Sequence, residues 1–588
     1  MLFFIPEAGV KPHLHTHLIL ARTLLELGEQ VFIVRCFRCY ERCPVRDMQL
    51  RPFEGGELSD LALCLDCSTY GLVTAREYGL ETLDLRRWLG SEVRDRVHDA
   101  LERCDDLAAF EHDGVPFGRI ATMDLSLNLK VSAHALLTPD QRAAWRAYAR
   151  AAAENYLAVR GMCRELAPSA LVHVNDYAFH VGARLAAERE GVRAHSVANP
   201  PHLNIDRRRF IIRPGPWCAT ALALERSWPA WRDLALSPAQ VREVADDLIS
   251  RLRGGGSHQY SPPRVGDDAA RALQLDPARR TLVAYTSSLD ESVAMDVYRD
   301  LFKVPYEHLR AFPDQLAWLR SVVHMVEESS DLQLVVRIHP REGASARVPV
   351  DSQHLRVLMR EFSGFHAHVR FVWPLAPVSS YDLADIADLV IPSWTTMSLE
   401  LARLGVPVLM AFRGVLPFPS QGVLEWSANP EEYLGRIRTM LDAPACADRI
   451  TAAFRWYQLY VLGSALDLAD VIPTSDPWPY PAYSRPRVAE EIRSVIRGDA
   501  DTIELNHARQ VGLQGPGALD AERSELLRQL RRVVHFLVTG VDQPGAQEAA
   551  RLTAEDEPGW VQYESGGQTP RRLRSMLVWR LGRMLAHA

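Results

Sequence analysis

"LVVRIHPREG", Leu334 to Gly343, reads as a buried strand that runs directly into a polar tip. Leu334, Val335, Val336 and Ile338 are aliphatic and mostly β-branched, which favours a strand. Its far end carries Arg337, His339 and Arg341 in close succession. The carboxyl ends of parallel strands are where an open α/β sheet takes its ligand. The question is therefore whether the surrounding sequence builds such a sheet.

Outward from this stretch the same alternation recurs. "TLVAYTS" (281–287) reads as a strand, "DQLAWLRSVVHMVEES" (314–329) as an amphipathic helix, and "LQLVVRIHP" (332–340) as the next strand. "VRFVWP", "YDLADIA", "DLVIPS", "TTMSLELARLG" and "VPVLMAF" continue the series to Phe412. The first third behaves alike. "LFFIP" is a strand, "HTHLILARTLLELG" a helix stopped by Gly28, and "QVFIVRC" a strand; "SALVHVND", "FHVGARLAAEREG" and "RAHSVAN" repeat the cycle. Such βαβ alternation predicts parallel, doubly wound sheets. The expected fold class is α/β, with two Rossmann-like domains facing across a cleft and a helical C-terminal extension. The expected boundaries are 1–250 for the first domain, with a Cys-rich insertion at 36–67, and 251–270 for a Gly/Ser/Pro-rich linker. A second domain follows at 271–480 and a helical tail at 481–588.

Composition limits the function classes. At 588 residues the chain exceeds one core and suits two or three domains. A net charge of −7 disfavours bulk nucleic-acid binding, and no nucleic-acid partner is expected. No apolar run is long enough to span a bilayer, and the N-terminus lacks a secretory pattern, so a cytoplasmic location with reduced cysteines is expected.

Polar clusters fall where the second set of strands ends. Ser287, Ser288 and Glu291 follow one strand, Arg337, His339 and Arg341 the next, and Ser393, Thr395 and Thr396 open a helix that carries Glu400. Together they suit a diphosphate-and-sugar site, with His339 and Arg341 as phosphate donors and Glu400 as an acceptor for sugar or ribose hydroxyls. The competing reading makes the hydroxyls helix caps and Glu400 a solvated residue.

Four passages, "TSSLDE", "VVRIHPRE", "PVSSYDLADIADLVI" and "SWTTMSLELARLGVPV", give the chain a family likeness. Over 281–412 it resembles the surface-carbohydrate and capsular-polysaccharide biosynthesis proteins of the GT-B glycosyltransferase class. The resemblance implies transfer of a sugar from a nucleotide-sugar donor to a cell-surface glycan or lipid-linked acceptor. It carries His339, Ser393, Thr395, Thr396 and Glu400 over as donor-binding positions, and it implies no catalytic metal. Trp394 departs from the pattern, standing where a smaller residue is expected near the phosphates. A sugar-nucleotide epimerase of the same two-domain fold, and a non-catalytic scaffold of a glycan assembly complex, are the alternatives.

The first domain offers candidates for the opposite face of the cleft. "PEAGVKPHLHTH" supplies Glu7, His13 and His15, and "LVHVND" ends in Asp176; a base for an acceptor hydroxyl is sought among these. Beyond them, "CFRCYERC" and "CLDC" place Cys36, Cys39, Cys43, Cys64 and Cys67 close together in sequence. Paired C-x2-C turns are a metal-ligand pattern, and four thiolates suit zinc or an iron–sulfur cluster in a structural role. The family likeness points to Cys36, Cys43, Cys64 and Cys67 and makes Cys39 the extra. Finally, "RRLRSMLVWRLGRMLAHA" (571–588) has five arginines, no acid and an apolar stripe through Leu573, Leu577, Leu581, Met584 and Leu585. That pattern predicts peripheral membrane contact through a basic amphipathic helix, against the plainer reading of a helix docked on the protein.

Overall fold

The computed structural model describes residues 1–47, 60–133, 136–174, 176–200, 208–216, 218–254, 261–262, 264, 269–304, 310–345, 350–412, 418–419, 422–441, 445–472, 484–542 and 575–587. Most of the expected linker, the Gly/Pro-rich stretch before the tail helix, and Leu573 lie outside them.

Two parallel sheets organise the chain. The first contains β1 (Leu2–Phe4), β2 (Phe32–Arg35), β3 (Glu81–Asp84), β4 (Ala170–Val174), β5 (Arg193–Ala198), β6 (Arg209–Pro214) and β13 (Leu466–Asp467). Its order is β13-β6-β5-β4-β1-β2-β3, and the first five strands of the chain run parallel. β6 and β13 add an antiparallel edge. The second sheet takes β7 (Arg280–Tyr285), β8 (Leu332–Arg337), β9 (Val369–Val372) and β10 (Leu389–Pro392) in the parallel order β10-β7-β8-β9. A short pair, β11 (Leu409–Met410) with β12 (Glu425–Trp426), lies beyond it. Every residue of β8 is buried, because helices cover both faces. Val283, Tyr285 and Val335 enter one core and Leu282, Ala284 and Leu334 the other.

Each sheet has a topological switch point. In the first, the chain winds from β1 toward β3 and later from β4 toward β6, so direction reverses between β1 and β4. In the second it winds from β7 to β9 and returns as β10, so the reversal lies between β7 and β10. Ligands of doubly wound sheets bind outside the carboxyl ends at such reversals. The two carboxyl edges face one another. Helix Leu289–Leu301, which follows β7, packs on helix Thr122–Leu129, and Ala294 and Tyr298 join the core of the first half. The Tyr298 hydroxyl donates to the carbonyl of Asp176, just past β4. Lys130 Nζ donates to the carbonyls of Gly343 at 2.5 Å and Val350 at 3.1 Å.

The packing changes hands elsewhere than at the boundaries expected from sequence. Helices Cys218–Trp231 and Pro238–Leu252, expected in the first domain, pack in the core of the second sheet with helix Ala518–Thr539. Leu466, Leu468 and Ile472 return to the first sheet, where helix Ala489–Arg497 joins them through Ile492, Val495 and Ile496. The chain thus crosses between halves more than once.

The C-terminal helix, Met576–His587, corrects another expectation. Leu577, Leu581 and Met584, the proposed membrane face, are buried in the second core beside helices Ala518–Thr539 and Ser380–Asp385. Arg580 is buried too, and its guanidinium donates to the carbonyls of Ala387 (3.0 Å) and Asp388. The stripe was correctly apolar; the protein itself covers it. No described helix is long and apolar enough to cross a membrane.

Candidate functional site

The second switch point is lined by residues following β7 and β10. Ser287 Oγ bridges it, donating to the carbonyl of Trp394 and accepting from the Trp394 N–H at 3.0 Å. The Trp394 indole N–H donates to Ser292 Oγ at 2.7 Å, so the departure from the family pattern wedges the β10 turn against helix Leu289–Leu301. Ser393 is buried; its N–H donates to the Tyr285 carbonyl at 2.8 Å and its own carbonyl accepts from Phe412. Thr395 Oγ1 accepts a 3.4 Å bond from the N–H of Met397, whereas Thr396 sits at the N-cap of Met397–Arg403 without using its side chain as a cap. On the neighbouring strand end, the His339 N–H donates to Thr286 Oγ1 at 2.8 Å, and His339 Nδ1 accepts from the Arg341 N–H at 3.2 Å. That bond leaves the imidazole proton on Nε2. Burial, with Arg341 and Arg337 near, lowers the His339 pKa to about 3. His339 is therefore a neutral donor at pH 7, not a cation.

Arg337 is 2% exposed and donates to the Trp373 carbonyl at 2.9 Å. Its Nε has no hydrogen-bond partner, and among the described residues no carboxylate pairs with it. Burial, partly offset by Tyr285, pulls its pKa down to about 10.

Other sequence candidates are committed elsewhere. Arg341, expected to hold phosphate, pairs with Asp290 at 2.8 Å and donates to the Leu127 carbonyl at 2.5 Å, tying the two halves together. Glu291 stands 3.4 Å from the same guanidinium. Ser288 Oγ bonds Asp290 at 2.8 Å and Glu291 at 2.9 Å. Glu400, expected to accept from sugar hydroxyls, is buried and already accepts from the Tyr381 hydroxyl at 2.5 Å and from Arg251 at 3.4 Å. Arg251 also pairs with Asp247 at 3.0 Å, as does Arg403. A carboxylate so engaged in a low-dielectric core holds structure together.

In the first sheet, the switch point collects an acid and histidines. Glu7 follows β1 and is buried; its Oε1 lies 2.9 Å from His180 Nε2 and 3.4 Å from His13 Nδ1. Burial alone would raise the Glu7 pKa, but His180 and His13 hold it well below the usual carboxylate range. His13 is 18% exposed at its side chain, while His180 is wholly covered. The His17 ring accompanies His13 one turn on and packs edge-on against Phe3. His15 points to the other side of the helix, where Nε2 meets the Tyr70 hydroxyl at 2.7 Å. Burial and Lys11 lower its pKa to about 4, and it does not join Glu7. Asp176 is buried beside the switch point, with its carbonyl held by Tyr298. His180 escaped sequence reading because it stands inside an ordinary apolar helix pattern, "FHVGARLAAEREG"; its only signal is a histidine on the core side of that helix.

Cys36, Cys43, Cys64 and Cys67 line one cavity of about 20 Å3 together with Glu7, Arg38 and Arg46; Cys39 is not part of its wall. None of the cysteines whose side chains are described forms a disulfide. Among the described residues, no three His, Cys, Asp or Glu side chains are arranged to share a single metal ion.

No family model matches the sequence, and no curated protein does. Solved structures of similar chain path include a beta Kdo 2,4 transferase, KpsC, from Thermosulfurimonas dismutans. It is 13% identical, with 49% of this chain and 78% of that one covered and a TM-score of 0.28. The UDP-GlcNAc 2-epimerase of Methanocaldococcus jannaschii, in complex with UDP-GlcNAc and UDP, is 10% identical over 77% of this chain and 96% of that one, with a TM-score of 0.26. The spinosyn rhamnosyltransferase SpnG is 12% identical over 78% and 95%, with a TM-score of 0.24. Likenesses this distant identify no substrate.

Proposed function

We propose that the chain is a glycosyltransferase that moves a sugar from a nucleotide-sugar donor to a hydroxyl of a glycan or lipid-linked acceptor. The supporting observation is the meeting of two switch points: one carries a histidine–carboxylate pair, the other a neutral histidine donor, hydroxyls and a buried arginine without a carboxylate. The donor diphosphate is assigned to the second, between Thr395, Thr396, His339 and Arg337. His339 Nε2–H and the threonine hydroxyls donate to the phosphate oxygens, and Arg337 supplies positive charge without a competing anion. His13, the partly exposed partner of Glu7, takes the proton of the acceptor hydroxyl. Glu7 stays ionised and stabilises the imidazolium that results, while His180 holds the carboxylate in place.

The test is calorimetry with UDP-, GDP-, CMP- and CDP-sugars, followed by nucleotide release with and without a glycan acceptor. One nucleotide class should bind, and release should need the acceptor. A donor epimerised without acceptor would mark an epimerase, and failure of every donor to bind would overturn the reading.

A further inference from the structure

We propose that the cavity between the amino end of β5 and the turn joining helices Ala489–Arg497 and Thr502–Gly512 binds a small organic molecule carrying protonated amines. β5 opens with Arg193, Ala194 and His195, and Pro214 ends the antiparallel β6 beside it. Helix Ala489–Arg497 packs on the first sheet through Ile492, Val495 and Ile496. The cavity beside that contact measures about 610 Å3, within the roughly 300–1,000 Å3 of small-molecule sites. Because β5 runs parallel to β1, it lies at the opposite edge of the sheet from Glu7 and His13, and assigning it needs no premise about sugar transfer.

Carboxylates dominate its wall. Glu188, Asp499, Asp501 and Glu504 line it together with one guanidinium, that of Arg193. Glu188 pairs with Arg184 at 3.2 Å, and Asp501 lies 3.6 Å from Arg213 while capping helix Thr502–Gly512. Asp499 and Glu504 are exposed and pair with no cation among the described residues. Arg193 lies over Gly498, where a Cβ would meet its Nη1 at 2.9 Å. Such an excess of negative charge favours a cationic ligand. No three His, Cys, Asp or Glu side chains among the described residues could share a metal ion, so the charge is spread around the wall and suits separate ammonium groups.

His195 points independently to a ligand. It pairs with Pro214 across the strands, as Val197 does with Ile212, and alternation along a strand puts these four side chains on one face. Ile212 and Pro214 line the cavity with His195, so the ring stands on that wall. The residue is 2% exposed, and neither ring nitrogen has a hydrogen-bond partner among the described residues. Burial lowers its pKa to about 4, so the ring is neutral at pH 7. The Ile496 carbonyl favours the proton it keeps; the other nitrogen is a lone pair with no donor. A buried acceptor left this way costs free energy, and an ammonium N–H supplies the missing bond. Ile212, Pro214 and Val495 offer apolar surface to the methylenes between amines.

The experiment is calorimetry on the full chain with spermidine, glucosamine, glucose and magnesium chloride at fixed ionic strength. Saturable binding of spermidine or glucosamine at one site per chain is expected, and the one that binds tells a linear polyamine from an amino sugar. Asp499→Asn together with Glu504→Gln should weaken that binding about tenfold or more; both side chains are exposed, so the fold does not depend on them. His195→Leu keeps every charge and should weaken binding similarly, whereas diffuse attraction to the acids would survive it. Unchanged affinity in either variant, equal binding of magnesium, a preference for glucose, or no binding of either amine would each overturn the proposal. Where His195→Leu does not fold, the paired acid variant and the magnesium and glucose arms decide alone.

Discussion

Nε2 of His180 lies 2.9 Å from Oε1 of Glu7, with both side chains wholly buried, and the partly exposed His13 approaches the same oxygen at 3.4 Å. One carboxylate therefore serves two imidazoles from different helices, Lys11–Glu26 and Ala178–Arg189. An ion in a low-dielectric core is tolerated only when it is paired this way.

If His13 is the base, His13→Ala lowers kcat by about 10²–10⁴-fold and leaves donor affinity near wild type. Glu7→Gln lowers kcat as well, since the carboxylate that faces the His13 imidazole at 3.4 Å is lost. Steady-state kinetics across pH check both. A His13→Ala enzyme with normal kcat removes His13 from the reaction.

Glu342 links stability to pH. It is buried, accepts from the Leu289 N–H at 3.0 Å and from Ser352 Oγ, and lies near Asp290. Burial, reinforced by Asp290, raises its pKa from 4.5 to about 7. The folded state thus keeps a proton that the unfolded chain has released, and stability falls as pH rises from about 4.5 to about 7. The full difference is about 3 kcal/mol. Glu342→Gln should lose this slope. Urea unfolding of both proteins at pH 5 and pH 8 measures it, and parallel pH dependence in the two would refute the assignment.

Glu400→Gln should act on stability, not on donor binding. It weakens bonds to Tyr381 and Arg251 inside the core, a loss of about 1–3 kcal/mol. Denaturation midpoints and calorimetric donor affinity, taken together, distinguish this from a sugar contact; a donor-specific loss with unchanged stability would restore the sequence reading.

Deleting residues 575–588 should uncover apolar surface. Leu577 and Leu581 are fully buried in the intact chain, so stability should drop by at least about 3 kcal/mol. Liposome co-sedimentation of the intact chain should show no salt-sensitive binding traceable to this helix. A truncated chain as stable as the full one would show that the helix is not part of the core.

The sequence by itself determined the elements and their kind. The run through Leu334–Val336 could only be a covered strand, and the βαβ rhythm around it required parallel sheets with ligands at their carboxyl ends. Backbone geometry and side-chain period are local, so they are written in consecutive residues. It also offered Glu7, His13 and His339 as candidates, because these polar residues stand close after the ends of apolar strands. Tertiary structure decided who partners whom. Glu400 answers to Arg251, 149 residues away, and Arg341 to Asp290. The stripe of Leu577 and Leu581 fits a membrane or a groove equally well until the second core closes over it, and helix Pro238–Leu252 carries no mark of which sheet it covers. An amphipathic face states that something must bury it, but burial and charge pairing are set by contacts across the whole chain, and those exist only once it has folded.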